Sequence, residues 1–100
     1  MDPAKPDINV SDVVVSTAGH DAGAWFYVIS ADAQFLYLAN GMDRTLDKPK
    51  RKKRKHVQKV LRSETRVAEK ILSGDKVLNS ELRRDLAFLA RQMQDTNLGG

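Results

Sequence analysis

Lys48-Pro49-Lys50-Arg51-Lys52-Lys53-Arg54-Lys55 divides the chain into two halves of different texture. Seven of its eight residues are cationic, and the remaining proline cannot join a helix interior. Before the run, short apolar stretches alternate with turn residues, the texture of β-sheet. After it, apolar residues recur at helical spacing. The next acidic residue after Asp47 is Glu64, so nothing local neutralises the run. A block of like charge repels itself and does not fold alone. It is therefore either a solvated linker or a polyanion-binding segment.

The rest of the chain weighs on that choice. A protein of 100 residues is one domain, or a small domain with an appendage, and its core is shallow. Hydrophobic content of 41% and charged content of 30% are those of a folded protein. The net charge of +4 conceals an asymmetry: outside the basic run, 10 Lys and Arg face 13 Asp and Glu. The body is mildly acidic and the basicity sits in one place, the pattern of a localised binding surface. With no cysteine, disulfides and thiolate metal sites are excluded. No apolar run approaches the roughly 18–20 residues of a membrane span, and the start lacks a basic-then-apolar signal peptide. The expected location is the cytoplasm; in a eukaryote, Pro49–Lys55 would also read as a nuclear import signal.

Upstream of the run, Met1–Pro6 holds two prolines and reads as a frayed start. Val13-Val14-Val15 predicts a strand that ends in the turn Ser16-Thr17-Ala18-Gly19. The loop continues through His20-Asp21-Ala22-Gly23. Trp25–Ile29 is all aromatic or β-branched and predicts the strongest strand, with Phe35–Ala39 as the next. Asn40-Gly41 is the dipeptide of a two-residue type I′ hairpin, which predicts a short fourth strand at Met42–Leu46. The basic run would then leave the sheet, and His56–Val60 would add a fifth strand. Short strands and tight turns at this density predict a strongly curved sheet or small barrel.

Downstream, Val67, Ala68, Ile71 and Leu72 form one face of a short helix within Glu64–Ser73, ending at Gly74. Asn79 or Ser80 suits the N-cap of a longer helix, with Glu81 in its first turn. There Leu82, Leu86, Leu89, Ala90 and Met93 make an apolar stripe that must cover the sheet or a partner.

Val13–Gly23 followed by an aromatic strand resembles a KOW motif, in which a strand ends in a glycine-containing loop and a second strand follows. With Leu36–Gly41, Leu46 and the run from Lys48 to His56-Val57, residues 10–60 are similar to small bacterial KOW-domain RNA-binding proteins of the fourteen-e large-subunit ribosomal type. The resemblance implies an SH3-like β-barrel and RNA as ligand, ribosomal or other structured RNA, with Gly19, His20 and Gly23 as the KOW loop. Such loops commonly carry Lys or Arg beside the second glycine. Here Ala22 and Ala24 stand there, which moves the expected contact onto 48–55. The implied organisation is a flexible N-terminus at 1–9, a KOW/SH3-like barrel at 10–60 carrying basic segment 48–55, two helices within 61–95, and a flexible C-terminus at 96–100.

The residues expected to meet RNA are Lys48, Lys50, Arg51, Lys52, Lys53, Arg54, Lys55, His56 and Lys59. Lysines act as point charges on phosphate, whereas Arg51 and Arg54 can bind it through two donors. About four to six contacts would give a log–log salt slope of about −3 to −4. Among the aromatics, Tyr27 and Tyr37 are the pair left available for bases, the others packing inward. His20 near Asp21 and His56 beside Lys55 lack a nucleophile or second base at a useful spacing, so they read as loop histidines. No phosphate-cradling loop, metal-ligand cluster or catalytic motif is present, so the expectation is a non-enzymatic protein without cofactor or metal. The competing reading is a protein-interaction module, with a partner or second copy held by the C-terminal helices and the run merely solvated.

Overall fold

A computed structural model describes residues 7–99 of the chain, with side chains described through 94. Five strands precede two helices: β1 Asp12–Ser16, β2 Trp25–Ala31, β3 Phe35–Ala39, β4 Lys50–Lys53, β5 Val57–Arg62, α1 Arg66–Ser73 and α2 Asn79–Gly99. The strands form one antiparallel sheet in the order β4-β3-β2-β1-β5, with β4 and β5 as its two ends. A single 3₁₀ turn, Arg54–His56, carries the chain from one end to the other. Register shifts between Val13 and Val14 and between Val28 and Ser30 mark bulges, which increase the local twist.

At its centre the sheet is buried on both faces. On one, Val14, Phe26, Val28, Leu36, Leu38 and Val57 pack together with Ile8. On the other, Val13, Tyr27 and Ala39 are covered by Val67 and Ala68 of α1 and by Leu82, Leu86 and Leu89 of α2. The central strands are therefore nearly continuous apolar runs, as two-sided burial requires. The α2 stripe, expected to cover either the sheet or a partner, spends its leucines on the chain's own sheet, while Met93 at its end is exposed. The helix backbone also continues through Gly99, so 96–99 is not the loose end expected. Residues 1–6 and 100, where fraying was expected, lie outside the described residues, and Ile8 is already buried.

Three further expectations are corrected. Met42–Leu46 is not a strand. A type I′ turn needs positive φ at both central residues, and only Gly41 has it (φ 80). The Asn40 side chain instead accepts the amides of Met42 and Arg44 (2.9 and 3.1 Å), bending 40–49 into a loop. Gly41 is needed there for a second reason: a Cβ would fall 2.2 Å from the Asn79 carbonyl oxygen at the start of α2. Asn79 is also the first helical residue rather than a cap. Its Oδ1 accepts the Leu46 amide (2.9 Å), while Glu81 reaches back to the Leu78 amide (3.0 Å). Finally, the basic run does not leave the sheet but supplies its edge strand, β4.

Helix α1 ends at Gly74 as expected, with φ 77, and its start is capped by Thr65, whose Oγ1 accepts the Ala68 amide. Thr65 also belongs to a polar knot between sheet and helices. The Tyr27 hydroxyl donates to the Asp85 carboxylate and lies 2.8 Å from Ser63 Oγ, while Thr65 Oγ1 donates to the same carboxylate at 2.7 Å. Burial and the neighbouring Asp85 push the Tyr27 phenol up to about 12. Tyr27 is fully buried, which removes it from the residues expected to meet bases. Tyr27→Phe leaves the half-buried Asp85 carboxylate short of a donor, so it should cost about 1–3 kcal/mol. Thermal unfolding should show this as a fall of roughly 5–15 °C in Tm.

Candidate nucleic-acid interface

Strand alternation sorts the basic run into two sets. In β4, Lys50 lies opposite Leu38 and Lys52 opposite Leu36, while Arg51 faces Tyr37 and Lys53 faces Phe35. Side chains on a strand alternate between faces, so Lys50 and Lys52 share the side of the buried Leu36 and Leu38, and Arg51 and Lys53 share the other.

The first set is structural. Lys52 is only 7% exposed; its Nζ contacts Asp21 Oδ1 at 2.5 Å and the Ala18 carbonyl oxygen at 2.7 Å. Lys50 Nζ lies 3.2 Å from the other Asp21 oxygen. Asp21 is held in place by the Gly19–Gly23 loop. Ser16 Oγ donates to Asp21 Oδ1 (2.8 Å), and positive φ at Gly19 (88) and Gly23 (91) turns the backbone around it. The glycine loop thus serves as a bracket for two lysines of the basic run. Burial pushes the Asp21 carboxyl up, but the bonds from Lys52, Ser16 and Lys50 outweigh it and hold the group well below the usual carboxylate range. The carboxyl binds its proton less readily folded than unfolded, so it stabilises the fold above the ordinary Asp value of 3.8. That stability should be lost as pH falls from about 4 through the folded value. Thermal unfolding at pH 6 and pH 3 should show the loss, and Asp21→Asn should flatten it.

Two more expected contacts are likewise engaged. Arg54 donates from Nε to the Asp32 carbonyl (2.9 Å) and from Nη1 to the Ile8 carbonyl (3.0 Å). Lys59 pairs with the buried Asp12 at 3.2 Å. His56 is half-buried, and its carbonyl accepts the Thr17 amide at 2.9 Å. His20 is exposed beside a cleft of about 330 Å³ that also holds Asp21, Asp43, Arg44 and Lys50. The two carboxylates there stand beside two cations, so the cleft at the glycine loop carries no net positive charge.

The second set is open. Lys48, Arg51, Lys53 and Lys55 are exposed, and no ion pair within 4.0 Å reaches them among the described residues. Lys53 and Lys55 line an open cleft of about 310 Å³ with Gln34 and Arg54. The Arg51 guanidinium lies 4.4 Å above the centre of the Phe35 ring. Phe35 was expected in the core, yet neither it nor Tyr37 belongs to the apolar cluster on either face. The alternation of β4 against β3 carries the signal that would have found them, once the run itself is read as a strand. No group of three or more potential metal ligands occurs among the described residues, and no described helix is long and apolar enough to cross a membrane.

No family model matches the chain, and no curated protein matches it.

Proposed function

We propose that this chain is a non-enzymatic RNA-binding protein of the cytoplasm that docks electrostatically on structured RNA, with ribosomal RNA as the preferred candidate. The observation that carries the reading is the exposed set Lys48, Arg51, Lys53 and Lys55 on and beside an ordered edge strand. Four unpaired cations on an otherwise acidic body form a surface suited to phosphates. Because β4 is already hydrogen-bonded to β3, these groups lose less freedom on meeting RNA than a free tail would.

The finer fold reading, an SH3-like barrel of KOW type, draws support from the strand order, which brings the last strand beside the first, and from the two bulges. Ribosome association is tested by co-sedimentation. It should be lost at high salt and in a variant carrying Lys48→Gln, Arg51→Gln, Lys53→Gln and Lys55→Gln; retention by that variant overturns the reading.

One observation favours a second reading, protein binding through α2: Phe88 is 50% exposed on that helix. Because the α2 leucines are core, this reading is tested with Phe88→Ser rather than by deleting the helix. Loss of a protein partner with RNA affinity intact would support it.

A further inference from the structure

We infer that the outer face of β3 and β4 is a stacking platform for unpaired nucleotides, so that the RNA segment bound here is single-stranded rather than duplex. The inference rests on the RNA-binding reading and names the form of RNA that this surface takes. Phe35 and Tyr37 are two residues apart on β3 and therefore point to the same face. Across the ladder stand Arg51 and Lys53, both exposed. Neither ring is claimed by a core, and helices α1 and α2 cover the sheet farther along, at Ala39, Tyr27 and Val13.

The geometry within the patch is that of a base-binding surface. The Arg51 guanidinium carbon lies 4.4 Å from the centre of the Phe35 ring, close enough for a cation–π pair, and the residue stays exposed to solvent. Bases stack on guanidinium planes as they do on aromatic rings. The Asp32 carboxylate accepts the Phe35 and Gln34 amides, and with the Tyr37 hydroxyl near it these contacts hold it below the ordinary carboxylate range. Lys53 stands opposite Phe35 on the ladder and shares a cleft with Lys55, where both can meet phosphates. A duplex keeps its base faces stacked inside and would use only these cations. A splayed strand would use both, and each stacked base adds about 1–3 kcal/mol in comparable sites, or about five- to 150-fold in affinity.

The test compares an oligouridylate with a blunt RNA duplex of equal length, by fluorescence anisotropy at low salt. The wild-type protein should favour the oligouridylate. Arg51→Lys, which keeps the charge but removes the plane, should weaken oligouridylate binding at least about fivefold and duplex binding by much less. Tyr37→Leu should repeat that selective loss, and circular dichroism melts of both variants check the fold. Equal losses on both probes, or no loss on either, overturn the platform while leaving electrostatic RNA binding intact. Failure of the wild-type protein to bind either probe overturns both readings.

Discussion

Asp21→Ala should lower the stability of the fold by about 2–4 kcal/mol, one of the largest effects of any single polar substitution in this chain. The reason is that it strands two cations. Lys52 is almost fully buried, and Lys50 is 27% exposed, with Asp21 as the ion partner of both. Removing one member of a buried pair leaves an uncompensated charge, whereas removing both can be nearly neutral. The figure stands below the upper range for buried pairs because Asp21 is itself 16% exposed and partly screened by solvent. The double variant Asp21→Ala with Lys52→Met should therefore recover part of the loss. Urea denaturation of the two variants measures both effects. If Asp21→Ala unfolds at the wild-type midpoint, the bracket contributes nothing to stability.

The largest expected effect on binding comes from the four exposed cations. Replacing Lys48, Arg51, Lys53 and Lys55 with glutamine should cut RNA affinity about a hundredfold or more at 0.1 M salt, because each phosphate contact on a single strand contributes about 0.7 to the log–log salt slope. The wild-type slope should be about −2 to −3, shallower than the −3 to −4 that counting the whole run suggests. Lys50→Gln with Lys52→Gln is the matching control. It removes the same kind of charge from the same strand but should leave the slope almost unchanged while lowering stability. A slope that falls equally in both variants would show that the two sets of side chains do not differ in their access to RNA.

These contrasts show where the sequence was legible. Val13–Val15, Trp25–Ile29 and Phe35–Ala39 were readable as strands because β-branched and aromatic residues crowd into short runs. Both helices were readable from their apolar spacing, and Gly74 from its role as a stop. The fourth strand was not, because two local signals pointed elsewhere. Asn40-Gly41 carries the composition of a tight hairpin, but Gly41 is there to let Asn79 approach. The run Lys50–Lys53 has poor strand propensity, and only the distant Asp21 and the β3 ladder make it a strand. Within the candidate site, which side chains are already engaged was not legible. Four of the nine expected contacts, Lys50, Lys52, Arg54 and Lys59, have structural partners that no local window reveals.

The order of the strands also sets the order in which the fold can be completed. Strand β1 lies inside the sheet, yet its partner β5 pairs residue 12 with residue 62, across the entire meander and the basic run. Closing so long a span costs chain entropy before any contact compensates it. Strands β1 to β3 can pair as they emerge, but their apolar faces stay uncovered until β5 docks and α1 and α2 follow. During that interval the unneutralised lysines and arginines serve the nascent chain in another way, by opposing edge-to-edge pairing between unfinished copies.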